Sequence, residues 1–276
     1  MFKTLNFHID EYRVFVERYK ISLGEVIQYP WLDERVKSLF IDNDFLLKAN
    51  REIYKNKSEA LKYFKSKGVL NGKDVFLVDI GWRGSIQDNI CHILPKSKIT
   101  GIYLGLNIYL NTQPENSKKI AFGPDLNISD ADTDLLNTVA PLEMICNSSK
   151  GSALTYNQGI AKRRVDNEEN IQYFKVSQHF QAGVIKATSE LAEIVSHQGA
   201  SSVHIRRYVI DIWRNYLNDP NAIIAKAYFN LSHNEEFGVG GFIKSQDVKI
   251  FIRTILYVMF LKFKKAKHEI RSSGWS

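Results

Sequence analysis

The stretch VFLVDIGWRGSIQDNI, Val75 to Ile90, constrains the fold more than any other part of the chain. An apolar run stops at Asp79, Gly81 and Gly84 follow, and apolar residues then recur at helical spacing from Ile86. Gly72 turns the chain into a strand read over 74–78, buried on the strength of its apolar run, and a helix is read over 86–94. KITGIYLGL, residues 98–106, reads as a second strand. Strand, helix and strand within about 30 residues make a βαβ unit, in which the strands pair in parallel through a right-handed crossover. A third, weaker strand is expected through 119–122.

Around this unit the chain reads as helical. Apolar spacing of three and four predicts helices over 10–19, 33–40 and 43–67, the last stopped by Gly68. After the sheet come helices over 134–145, 168–195, 202–216, 220–231 and 245–270, with NYLNDPN and EFGVGG as the clearest turns. The expected fold is α/β: a small parallel, Rossmann-like sheet with a large helical C-terminal half. Its segments are an N-terminal helical piece over 1–44, an α/β layer over 45–128 and a helical half over 129–276.

In open α/β sheets ligands sit beyond the carboxyl ends of the strands, against helix N-termini. Asp79 stands at such an end, as a base or a metal-binding carboxylate, and Ser85 is placed to cap the next helix. Arg83 and the backbone N–H groups around Gly84 and Ser85 would hold a phosphate, with Gly81 and Gly84 letting it approach the backbone. Trp82 in an exposed turn and Gln87 on the helix complete the candidate set; the competing reading is ligand-free turn chemistry with Trp82 plugging the core. The spacing is neither a Walker A loop nor a dinucleotide fingerprint. Glu143, flanked by Pro141, Leu142, Met144 and Ile145, is a second candidate catalytic carboxylate, needing a partner or a raised pKa where buried.

The remaining motifs argue for less. Asp130, Asp132 and Asp134 alternate, but an EF-hand needs glycine where Leu135 stands and glutamate where Pro141 stands, so a helix start complemented by aspartates is expected instead of a metal site. The seven histidines show no zinc-ligand spacing. Nothing in the residues names a cofactor.

The net charge of +7 is concentrated at the C-terminus, where eight basic residues from Lys244 to Arg271 stand against Asp247 and Glu269. The nearly neutral remainder argues against nucleic acid as a partner. The 245–270 helix is apolar and aromatic with a cluster of lysines, which suits either a core helix with a basic tip or contact with an anionic membrane surface. Two cysteines, Cys91 and Cys146, give no disulfide framework and fit a reducing cytoplasm. No apolar run is long enough to span a bilayer, so the expected location is cytoplasmic, with peripheral contact at the inner membrane face through 245–270.

The combination Val-Asp-Ile-Gly-Trp-x-Gly-Ser-Ile-Gln (78–87), Gly-Ile-Tyr-Leu-Gly-Leu (101–106), Leu142-Glu143 with Gly151-Ser152, and Asn-x-x-x-Asn-Glu-Glu-Phe-Gly (230–238) resembles the C-terminal module of predicted haloacid-dehalogenase-superfamily proteins encoded among bacterial capsule and O-antigen genes. The likeness covers roughly 45–276. It implies a place in surface-polysaccharide synthesis, a sugar-phosphate or nucleotide-sugar ligand at 79–85, and a neighbouring glycosyltransferase as partner. The chain lacks the apolar strand ending in Asp-x-Asp-x-Thr/Val that supplies the phosphoryl-accepting aspartate, so phosphatase activity is not implied. The closing Ser-Gly-Trp-Ser reads as the end of a chain shorter than its relatives, and a non-catalytic scaffold docking a glycosyltransferase is the other reading.

Overall fold

The structure, a computed structural model, describes residues 7–137, 139–164, 167–229, 232–233 and 243–244. The predicted helix over 245–270, its membrane contact and most of the 230–238 motif lie outside the described residues. The chain forms two compact units, one made of residues up to Val69 together with Ala153–Arg163, the other of Leu70–Ser152 with the chain from Arg164 onward.

In the first unit a 3-10 turn over Ile9–Tyr12 runs into helix α1, Arg13–Arg18, followed by α2, Glu34–Ile41, and α3, Asn43–Ser66. Asp33 caps α2 by accepting from the N–H groups of Arg35 and Val36, and Asp42 caps α3 by accepting from Phe45 N at 2.9 Å. Arg18 Nη1 and the Tyr19 hydroxyl also donate to Asp42 Oδ2, at 2.7 and 2.8 Å. The apolar face so oriented packs Tyr12, Val16, Leu39 and Phe45 into one core. The rings of Phe15 and Phe40 lie edge-on to Phe45.

The second unit holds the sheet. Strand β1, Val75–Asp79, leads through a short loop to α4, Ser85–Ile93, then β2, Ile99–Tyr103, and β3, Ser117–Ala121. The three strands are parallel in the order β1-β2-β3, with Asp79 opposite Tyr103 and Tyr103 opposite Ala121. The expected βαβ unit and third strand are therefore present. One face, carrying Leu77, Gly101 and Lys119 in register, lies on the side of α4. The other carries Phe76 and Val78, which are 72% and 84% exposed, with Ile102 and Ile120. Among the described residues the first strand is thus covered on one face only, where its apolar run predicted burial.

Beyond the sheet, the single helix expected over 134–145 is replaced by a 3-10 turn, Thr133–Leu136, and a separate helix α5, Ala140–Ile145. Pro141 is the reason: proline is accommodated in the first turn of a helix and breaks an interior, so a helix here has to start anew. Strands β4, Ser152–Asn157, and β5, Ile160–Arg164, form a hairpin that the sequence reading lacked. The chain continues as α6, Asn167–Gln172, a wider π-type turn over Tyr173–Ser177 and α7, Gln178–Gln198, then α8, Ser202–Asn218, and α9, Ala222–Phe229. Ile210, Trp213 and Leu217 of α8 pack with Leu135 and Leu136, and Arg214 reaches Asp132 at 2.6 Å and Asp134 at 2.9 Å. Two of the three alternating aspartates, Asp132 and Asp134, are held by this arginine from α8. The whole is a mixed α/β protein with a small parallel sheet and a helical C-terminal half. Among the described residues no helix is long and apolar enough to cross a membrane.

Candidate functional site

From Asp79 the chain crosses the carboxyl end of the sheet through Ile80, Gly81, Trp82 and Arg83, and enters α4 at Ser85. That loop is tied to the segment after β2: Leu104 N donates to Asp79 O at 3.3 Å, Gly105 N to Ile80 O at 3.3 Å and Asn107 N to Trp82 O at 2.6 Å. The Arg83 guanidinium donates to the Ile108 carbonyl. The Gly81–Trp82 peptide bond is cis.

Packing explains both loop glycines. Gly81 has φ 143°, and a Cβ there would lie 2.5 Å from the Gly105 carbonyl oxygen. Gly84 is the N-cap of α4 with φ 65°, and a Cβ would collide with the Lys119 side chain. The expected capping role of Ser85 is corrected by this geometry: Ser85 is the first helical residue, exposed, and no side chain caps α4. The opening turn of α4 therefore presents N–H groups without a side-chain acceptor among the described residues, next to Arg83.

Two predicted residues meet across 61 positions of sequence. The half-buried Trp82 donates its indole N–H to Glu143 Oε1 at 2.8 Å and lies 6.2 Å from Trp213, ring to ring, against the Leu135–Leu136 core. Glu143 is exposed and finds its partner in that indole, so the apolar residues flanking it do not bury the carboxylate. Asp79 accepts a long bond from Gly81 N, 3.4 Å. The Cys146 thiol, on a residue exposed as a whole, is pushed above its ordinary range by the protein packed around it, then by the Asp79 and Glu143 carboxylates. Asp79, Glu143 and Cys146 thus share one electrostatic neighbourhood.

Gln87 does not belong to that group. It is buried, its amide donates to Ile99 O at 3.0 Å and Ser117 Oγ at 2.9 Å, and its Oε1 accepts from the Tyr103 hydroxyl at 2.8 Å. Its ligand role is corrected to that of a clamp joining α4 to β2 and β3. Burial first, and Asp79 second, hold the Tyr103 hydroxyl well above the usual phenol range, so it stays a donor.

Sequence reasoning missed Lys119. Its ammonium lies under the loop, side chain 3% exposed, 2.7 Å from Asp88 Oδ1, and donates to Arg83 O at 3.2 Å and Gln113 Oε1 at 2.6 Å. The ion pair accounts for Asp88 Oδ1, which has no hydrogen-bond partner among the described residues. The signal was present in SKKIA: strand alternation puts Lys119 on the face of Ser117 and Ala121, the covered one.

The strand order advances in one direction, so the described sheet has no reversal of the kind that opens a ligand crevice; the candidate site is the loop edge itself. Among the described residues no three metal-ligating side chains cluster. Neither a protein-family model nor a curated protein matches the chain.

Proposed function

We infer that the 79–85 loop binds the phosphate of a sugar phosphate or nucleotide sugar, and that the chain serves bacterial surface-polysaccharide synthesis. The observation that carries this reading is the uncapped start of α4 at the carboxyl end of β1, with Arg83 and Asp79 in the loop that leads to it and Glu143 bonded to Trp82 of the same loop. In this arrangement Arg83 and the helix N–H groups hold the anion, Ser85 offers a hydroxyl, and Asp79 faces the sugar as a hydrogen-bond acceptor or base. The resemblance in 78–87 and 101–106 supplies the biosynthetic setting and the neighbouring glycosyltransferase.

Calorimetric titration with UDP-sugars and sugar 1-phosphates tests the reading. The wild-type chain is expected to bind, Asp79→Asn and Arg83→Ala to bind more weakly, and Ser85→Glu not at all. A glutamate at the first helical position suits the helix dipole and leaves the fold intact while repelling a phosphate, so loss of binding there is not loss of structure. No binding by the wild type, or unchanged binding by Ser85→Glu, overturns the proposal.

A second reading, a non-catalytic scaffold that docks a glycosyltransferase, is favoured by one specific observation. Gly81, Gly84 and Gln87 are each accounted for by packing, and Trp82 and Glu143 by each other. Co-purification with the transferase by a chain that ignores every sugar nucleotide is its expected signature.

A further inference from the structure

The near-neutral remainder of the chain conceals a basic surface, because segments 93 residues apart fold together in the first compact unit. The β4–β5 hairpin lies on the C-terminal half of α3. Ser66 Oγ donates to Gly159 O at 3.2 Å, Gln158 N donates to Glu59 Oε2 at 2.6 Å, and the Tyr63 and Tyr156 rings lie 4.8 Å apart. Helix α3 carries six basic and three acidic residues, and the part of the hairpin in this unit, Ala153–Arg163, two basic and no acidic ones. Segment-by-segment charge counting does not see this, since neither piece alone stands out.

Side-chain spacing gives the surface a pattern. Leu47, Arg51, Tyr54, Ser58, Lys62 and Lys65 recur at steps of three and four, one row along α3 with no acidic member, and all are exposed. Glu59 and Glu52 pair with Lys62 and Lys55 at 2.5 and 3.4 Å, whereas Arg51, Lys65, Lys162 and Arg163 have no carboxylate partner among the described residues. Large apolar side chains stand among these cations: Leu47 and Tyr54 are 59% and 71% exposed, and on the hairpin Ile160, on the strand face of Lys162, is exposed as well.

We propose that this face of α3 and the hairpin docks on an anionic phospholipid bilayer. A bilayer interface accepts Leu47, Tyr54 and Ile160 among its headgroups while Arg51, Lys65 and Lys162, the last on the strand face of Ile160, meet lipid phosphates and carboxylates. A single-stranded nucleic acid would instead need several free aromatic faces for its bases; Tyr54 is the single aromatic residue of the α3 row, while the Tyr63 and Tyr156 rings lie 4.8 Å apart and Lys67 Nζ stands 5.7 Å from the centre of the Tyr63 ring. The surface belongs to the first unit and uses no residue of the 79–85 loop.

Flotation of the full chain with phosphatidylcholine vesicles carrying about 30% phosphatidylserine tests it. The chain is expected to float at low salt, to stay down with pure phosphatidylcholine, and to be released by about 0.5 M salt. Lys65→Glu with Lys162→Glu is expected to weaken the partition at least about tenfold. Lys73→Glu with Lys96→Glu, two exposed residues of the other unit with the same change of net charge, is expected to leave it nearly unchanged. Equal losses in both pairs would show attraction by net charge alone, and no loss in the first pair would place the contact elsewhere in the chain. Either result overturns the proposal, as does binding of an oligonucleotide by a chain that ignores the charged vesicles.

Discussion

Two buried polar side chains, Gln87 and Lys119, hold the loop and the sheet together, and each makes a falsifiable demand. Gln87 satisfies the Ile99 carbonyl, the Ser117 hydroxyl and the Tyr103 hydroxyl at once. Truncation in Gln87→Ala leaves these groups buried and unpaired, at about 1–3 kcal/mol for such a loss, with a cavity term added. A fall of about 2–4 kcal/mol in urea unfolding is expected, and a change under about 0.5 kcal/mol would refute the clamp. Gly101 exists for the same clamp, since a Cβ there would stand 1.8 Å from Gln87 Oε1. Lys119→Met strands Asp88 and is expected to cost about 3–5 kcal/mol, whereas Lys119→Met with Asp88→Leu recovers most of it. A double variant no better than the single one would show that the ammonium acts mainly through Arg83 and Gln113. In sequence Gln87 looked like a ligand because it follows a glycine loop on a helix, and periodicity does not tell a helix's wet face from one turned under a sheet.

At the scale of elements, the βαβ unit was legible because its signals are local: an apolar run, glycines, a Ser-led helix, a second apolar run. The hairpin was not. Its turn uses Gln158 at φ 50° and Gly159 at φ 75°, the positive pair that a two-residue hairpin turn requires, but glutamine is an uncommon choice there and the flanking strands do not alternate cleanly. The helix starts in the first unit make a pH prediction. The backbone N–H of Phe45, with Tyr19 and Arg18, holds the Asp42 carboxyl down to about 2, and the Arg35 guanidinium does the same for Asp33. A depressed folded-state pKa contributes stability that is present above the ordinary carboxylate range, near pH 4, and is lost as the pH falls through about 2. Helical signal followed by circular dichroism should therefore hold at pH 5 and fall between about pH 4 and 2. The Asp42→Asn variant, which keeps the cap but not the charge, should show a shallower acid limb. An acid limb identical to wild type would assign the transition to other carboxylates.

Across the whole molecule, the division into units cuts through the order of the sequence: Ala153–Arg163 belongs with the N-terminal helices, although chain belonging to the sheet unit precedes and follows it. Sequence reasoning placed a boundary after residue 44 and did not join 153–163 to the N-terminal helices, because a return contact made by a short hairpin leaves no compositional trace. If the two units are separate cooperative bodies, a lesion confined to the hairpin should loosen its own unit and spare the sheet. Gly159→Ala is such a lesion. At φ 75° an alanine pays about 1 kcal/mol of backbone strain, and the nearest atom to its Cβ would be the Lys62 carbonyl oxygen at 3.5 Å, an ordinary contact, so conformation and not collision sets the cost. In native-state hydrogen exchange, amides of the hairpin and of the C-terminal half of α3 should open about fivefold faster, the equivalent of that 1 kcal/mol. Amides of β1, β2 and β3 should keep their wild-type rates. Equal acceleration in the sheet would mean that the chain opens as one body, and that the clamp at Gln87 and the caps at Asp33 and Asp42 draw on a single free energy of unfolding.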